Sequence, residues 1–339
     1  MKEYKPITIK KYSQKSYKNP ESRRFKEDKF QDFKLTCNSV KICDTNHNLA
    51  SFFVFDNIYH FDMVNDKLIS KYPQASDLIN VGNLRKDGKL IYTGLTNGKL
   101  NVYDANKKNL LKSFNSHKLQ INSIEISDNL VNFVTASNDL SFRIFDLSQL
   151  DPVISYEKAH GDYIRSAKFI DETTILTGGC DKVVKLWDIR NESKTPVQIF
   201  KNTNICNDLV ILKSKDQFIS TSENFLNIFD LRNGKLLSQA NPVQGNISKI
   251  ISNDTESRLF VVSPNETFVK VLDMELLAMK SLYTIKLKKE ISAFDISKDM
   301  NRYAVAFTSG EISIRSRNID EDEEDIYQDQ QEKDFELLE

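Results

Sequence analysis

Residues 159–190 read AHGDYIRSAKFIDETTILTGGCDKVVKLWDIR and hold His160, Thr177, Asp181 and Trp187. A hydroxyl, an imidazole and a carboxylate are the parts of a nucleophilic relay, in which the imidazole takes the hydroxyl proton and the carboxylate orients the imidazole. The same parts recur upstream as His117, Thr135 and Asp139, with Phe145 where Trp187 stands. In both sets four residues separate Thr from Asp and six separate Asp from the aromatic. A reaction centre is not duplicated at a fixed interval, whereas a structural hydrogen-bond set is. The two sets are therefore expected to hold the fold together, His160 and Asp181 making a buried charge-assisted bond worth about 1.5 to 3 kcal/mol. Phe145 has no indole N–H, so its chain is one link shorter.

Other chemistry is thinly represented. His47 and His60 complete the histidines and lie in a weakly patterned stretch, which suits an edge or core role better than metal ligation. Cys37, Cys43, Cys180 and Cys206 form no CxxC pair and no zinc-ligand spacing, so buried, reduced thiols in an intracellular protein are expected. The phosphate loop GxxxxGK[ST], the elbow GxSxG and the HExxH pair are all missing. The sequons at Asn246, Asn253 and Asn265 are chance matches in an Asn-rich chain. The sequence predicts no enzyme, no metal, no cofactor and no small-molecule substrate.

The elements that would position these residues are short strands. The segments IYHFD, LNVYD, FRIFD, VKLWD, LNIFD and VKVLD end at Asp62, Asp104, Asp146, Asp188, Asp230 and Asp273, at intervals of 42, 42, 42, 42 and 43. A further 43 residues reach Ser316 in the weaker copy ISIRS, the seventh. Each copy alternates apolar and polar at period two, and turns such as KDG, TNG and RNG separate them. Four short strands in each unit of 40 to 45 residues mark a propeller blade, because one small sheet cannot bury both its faces until neighbours stack on it. The expected fold is all-β, a seven-bladed propeller over residues 30–316.

Composition fits such a body, with 40% hydrophobic and 28% charged residues. No apolar run approaches the roughly 18 residues of a membrane span, and the basic start lacks the apolar core of a secretory signal. The net charge of -1 conceals a split. Residues 1–26 carry Lys2, Lys5, Lys10, Lys11, Lys15, Lys18, Arg23, Arg24 and Lys26 against Glu3 and Glu21. Residues 319–339 carry eleven Asp and Glu against Lys333. A basic extended arm (1–29) and an acidic tail (317–339) thus flank a nearly neutral body. The seventh copy shows no fourth strand after ISIRS, and FQDFKLT at residues 30–36 alternates just before the first copy. It is expected to supply that strand and close the ring.

The opening stretch resembles the WD40 repeat family, in which a His, a Ser or Thr, an Asp and a Trp form a buried hydrogen-bond chain; the matching residues here are His160, Thr177, Asp181 and Trp187. ITIKKYSQKSYKNPESRRFKEDKF further resembles the N-terminal extension of the family of U3 small nucleolar RNA-associated protein fifteen, WD40 subunits of the small-subunit processome. NSVKI, LRKDGKLIYTGLTNGKLNVYD and DYIRSAKFI resemble its blades one, two and four in order and spacing, so the likeness covers residues 7 to about 316. That family continues past the propeller into a helical region joining sister subunits, where this sequence has NIDEDEEDIYQDQQEKDFELLE. The resemblance implies a nucleolar scaffold bound to pre-ribosomal RNA near its 5′ leader, with other WD40 subunits and the U3 small nucleolar ribonucleoprotein as partners and no membrane.

The residues agree with an RNA role. Lys5, Lys10, Lys11, Lys15, Lys18, Arg23, Arg24 and Lys26, with Tyr4, Tyr12, Tyr17 and Phe25 between them, suit phosphates and unpaired bases. Two rival expectations stand beside it. WDIR at 187–190 and FDLR at 229–232 match the WDxR pattern of WD40 substrate receptors of cullin-RING ubiquitin ligases. A generic cytoplasmic WD40 scaffold without RNA is the other.

Overall fold

A computed structural model describes residues 36–316 apart from 47, 64, 66 and 275–278. Every regular element among them is a β-strand, arranged as seven antiparallel sheets that stack as the blades of a propeller. The inner strands are Cys37–Ile42, Ile79–Leu84, Ile121–Ile126, Ile164–Phe169, Leu209–Ile211, Lys249–Ser252 and Ile291–Ile296. Blades 1 to 6 have four strands each in chain order from the channel outwards. Blade 7 has three among the described residues, ending at Ile312–Ser316. Of the expected closing segment 30–36, residues 30–35 lie outside the described residues, and Thr36 is exposed and outside any strand.

Burial follows the repeat. The second strands, such as Leu90–Leu95 and Thr174–Gly179, are buried almost throughout because neighbouring sheets cover both their faces. Between successive blades an aromatic side chain from one outer strand wedges against the next sheet. Phe114 meets Phe133 and Phe145, Tyr156 meets Trp187, and Phe200 meets Phe218 and Phe229, with ring centroids 4.9 to 5.6 Å apart. The turn between the second and third strands needs a left-handed residue in every blade, filled by Phe55, Gly98, Leu140, Lys182, Glu223, Asn265 and Gly310. Glycine is demanded at 98, where a Cβ would lie 2.2 Å from the His117 carbonyl oxygen.

The ring meets itself between blades 7 and 1. Their shared core holds Phe52, Tyr59 and Phe61 against Ala293, Ala304 and Ala306, small residues that let the rings in. Asp295, 2% exposed, accepts a 2.7 Å hydrogen bond from the Ile42 backbone N–H of blade 1. Lys41 of blade 1 and Lys249 of blade 6 lie 3.7 and 3.5 Å from the same carboxylate. Burial pushes the Asp295 pKa up, but the two lysines and the Ile42 N–H outweigh it, leaving the group below its ordinary value.

Candidate functional site

In blade 4, His160 lies in the turn before the inner strand, Thr177 on the second strand and Asp181 in the following turn. The His160 ring is fully buried, with Nδ1 2.9 Å from both Asp181 oxygens and Nε2 2.7 Å from Thr177 Oγ1. Trp187 Nε1 donates to the same Oγ1 at 2.8 Å. The Gly161 N–H also donates to Asp181, at 3.0 Å. Burial raises the Asp181 pKa, yet the bond to His160 and its charge win, so the carboxyl lies below the usual range.

Blade 3 repeats this arrangement. His117 Nδ1 is 3.0 Å from Asp139 and Nε2 is 2.8 Å from Thr135 Oγ1. Phe145 offers no donor, and Thr135 Oγ1 has Ser116 Oγ at 3.2 Å as a further hydroxyl partner. Ser141 donates to Asp139 at 2.6 Å, and together with His117 holds its pKa low against the opposing effect of burial. Thr177 and Thr135 are both 0% exposed. A nucleophile must meet its substrate, and neither hydroxyl has a surface to offer one.

Sequence reasoning placed no polar set in blade 5, where Asn202 replaces the histidine. The structure builds a neutral one: Asn202 Nδ2 donates to the Thr221 carbonyl at 3.0 Å, and its Oδ1 accepts from Ser220 at 2.9 Å and Asn227 at 3.2 Å. In blade 1, His60 sits on the third strand, 2.8 Å from Ser51 Oγ, a core position. Burial, helped by Lys108, lowers its pKa to about 4. His47 lies outside the described residues. Cys37, Cys43 and Cys206 are buried, whereas Cys180, expected with them, is only half-buried because it sits in an exposed turn. No cluster of His, Cys, Asp and Glu among the described residues could hold a metal. No helix among them is long and apolar enough to cross a membrane.

The inner strands surround a central channel of about 940 Å³. Its wall carries fixed charges, including Lys168 paired to Glu125 at 2.9 Å and the Asp295 cluster. At the end where the inner strands begin, one residue per blade occupies the same seat: Asn38, Asn80, Asn122, Arg165, Asn207, Ser248 and Ser292. Five of these are bulged out of strand register. Asn38, Asn80, Asn122 and Asn207 each donate to a carbonyl of the next blade, at Ile79, Ile121, Ile164 and Ile247, over 2.7 to 2.8 Å. Arg165 instead turns to its own blade, with Nε 3.3 Å from Cys180 Sγ. An Asn every 42 residues was the signal for this ring, but it reads as turn composition in an Asn-rich chain.

The RNA candidates Lys5, Lys10, Lys11, Lys15, Lys18, Arg23, Arg24 and Lys26 lie outside the described residues. Arg190 and Arg232 of the WDxR-like pairs are 70% and 76% exposed, each bonded to a carboxylate, Asp188 and Asp216.

The family description WD domain, G-beta repeat matches residues 108–146 and 151–188, each the outer strand of one blade followed by the first three strands of the next, blades 3 and 4. The chain is similar to U3 small nucleolar RNA-associated protein 15 of Saccharomyces cerevisiae, at 28% identity over 192 residues, 55% of this chain and 36% of that protein. It is similar to the homolog of that protein in Xenopus tropicalis, at 21% over 267 residues, 78% of this chain and 51% of the other. The protein of the same name in Schizosaccharomyces pombe matches at 24% over 242 residues, 70% and 48% of the two chains. The chain thus spans about a third to a half of the length of these curated relatives.

Proposed function

We propose that this chain, a WD40-repeat propeller homologous to U3 small nucleolar RNA-associated protein 15 of several species over part of their length, serves in the small-subunit processome. It acts there as a non-catalytic scaffold that binds the 5′ leader of pre-ribosomal RNA. It does so in the nucleolus, beside other WD40 subunits and the U3 small nucleolar ribonucleoprotein, in early 18S rRNA processing. The observation that carries the reading is the homology itself, which runs through the blades rather than through one motif. Two features of the chain support it. The His–Asp–Thr sets are spent on each other inside the blades, which suits a body that displays surfaces rather than one that reacts. Residues 1–29 form the cationic arm for RNA in this reading, residues 30–36 add the outer strand to blade 7, and residues 317–339 are the acidic tail.

The test is depletion in cells together with sequencing of RNA crosslinked to the tagged protein. Depletion is expected to lower mature small-subunit RNA and to accumulate unprocessed 5′ leader while large-subunit RNA is still made. In vitro, about four to six arm contacts to phosphate predict a log–log salt slope of about -3 to -4 on single-stranded RNA, at roughly -0.7 per contact. Normal leader processing after complete depletion would overturn the reading. Copurification with a cullin-RING adaptor would then favour the substrate-receptor alternative, and exclusion from the nucleolus the generic cytoplasmic scaffold.

A further inference from the structure

The asparagine ring at the channel mouth breaks at blade 4, and the break has a chemical character of its own. Arg165 holds the seat where Asn38, Asn80, Asn122 and Asn207 tie blade to blade. Its Nε reaches Cys180, and among the described residues neither terminal nitrogen of the guanidinium has a hydrogen-bond partner. Two positions before it, Tyr163 is 43% exposed, although its backbone is pinned by the 2.8 Å bond from the Cys180 N–H to its carbonyl. A fixed backbone, an exposed ring and a guanidinium with open donors therefore meet where the inner strand of blade 4 begins.

Amides occupy the same end of the neighbouring inner strands. On blade 3, Asn122 donates to Asn138 Oδ1 at 2.7 Å and Gln120 donates to Asn122 Oδ1 at 3.3 Å. On blade 5, Asn207 donates to Asn246 Oδ1 at 3.0 Å. Asn138 is half-buried and Asn246 exposed. Exposed Lys118 and Lys182 stand on the turns around His117 and Asp181. The exposed carboxylates here are Asp162, which folds back on the Tyr163 N–H at 2.7 Å, and Glu223, which takes Asn204.

We propose that this part of the channel mouth takes an unpaired nucleotide of single-stranded RNA, its base stacked on Tyr163 and its phosphate on Arg165. The inference rests on the RNA reading above and adds a contact on the propeller body to the one assigned to the arm. Stacking uses the one feature that a purely electrostatic site has no need of, an exposed ring on a rigid backbone. An acidic peptide would satisfy Arg165 but would leave the ring unused.

The experiment uses the full chain as wild type, Tyr163→Ala, Tyr163→Phe and Arg165→Ala. The probe is a fluorescein-labelled single-stranded RNA of about twenty nucleotides and mixed sequence, and melting curves establish that each variant is folded. Expected are an ultraviolet-induced nucleotide adduct on the peptide containing Tyr163, and about 5- to 20-fold weaker binding for Tyr163→Ala. Tyr163→Phe should stay within about twofold of wild type, since the ring is kept. Arg165→Ala should make the log–log salt slope shallower by about 0.7. Should Arg165→Ala fail to fold, the Tyr163 pair alone decides. Wild-type binding that is unchanged in every variant, with adducts confined to residues 1–26, overturns this site and leaves the RNA reading standing. A wild type that does not bind RNA overturns both. A labelled hexaglutamate peptide that binds and is lost in Arg165→Ala, while RNA is ignored, overturns the site in favour of protein docking.

Discussion

Blades 4 and 5 solve the same packing problem with different polar chemistry. Each is pinned to the blade before it by an aromatic from that blade's outer strand, Tyr156 onto Trp187 and Phe200 onto Phe218 and Phe229. Behind the aromatic, blade 4 buries an imidazole against a carboxylate, and blade 5 buries amides and a hydroxyl with no ionisable group. The second and third strands pair without a register shift in both. The wedge and the register therefore make a blade, and the polar set fixes how much it resists unfolding. A charge-assisted bond is roughly twice as strong as a neutral one, but losing one partner leaves a costlier orphan.

Four measurements would break or sharpen this contrast. Asp181→Ala strips the partner from a buried imidazole and should cost about 2 to 4 kcal/mol in denaturant unfolding. An unchanged midpoint would erase the distinction between the two blades. Trp187→Phe gives blade 4 the aromatic of blade 3 without the further hydroxyl partner that Ser116 is there, and about 1 to 2 kcal/mol is expected. Asn202→Ala in blade 5 removes neutral bonds only and should cost about 1 kcal/mol. If it costs more than Asp181→Ala, the ranking of the two networks is reversed.

The smallest effect concerns acid. Asp139 and Asp181 have depressed pKa values in the folded state, so their stabilisation is complete above the ordinary carboxylate value near 3.8 and is lost as the pH falls through the folded values. His60 acts in a different window. Its pKa is lowered from 6.5 to about 4, so the unfolded chain takes up a proton between those values that the folded chain refuses, and stability falls as pH drops from 6.5 towards 4. Melting of His60→Gln across that range should lose this slope, while Asn202→Ala should run parallel to wild type.

Much of this was legible because the repeat is written at single-residue precision. Seven segments at 42 to 43 residues gave the blades, and the duplicated His, Thr, Asp and aromatic spacing located the polar sets of blades 3 and 4. Blade 5 was not legible, since Asn202, Ser220 and Asn227 are residues that any turn or edge could carry. Arg165 was hidden for a related reason: its meaning comes from the Asn it replaces, and that ring needs the bulges to be visible. Asp295 could not be found from spacing at all, because its partners Lys41, Ile42 and Lys249 belong to other blades.

The bond from Ile42 to Asp295 spans 253 positions of the chain. At about 5 to 20 residues per second, a ribosome needs roughly 13 to 50 seconds to deliver the second partner after the first has emerged. Local strand pairing takes microseconds, so blades 1 to 6 can each form and stack as they appear. Through all of that time the face of blade 1 that will receive Ala304 and Ala306 has no cover, and Phe52 and Phe61 stand on it. The newborn chain is an open arc with an adhesive end. Its most hazardous interval is set by the speed of translation, and whatever shields blade 1 during synthesis guards the whole molecule.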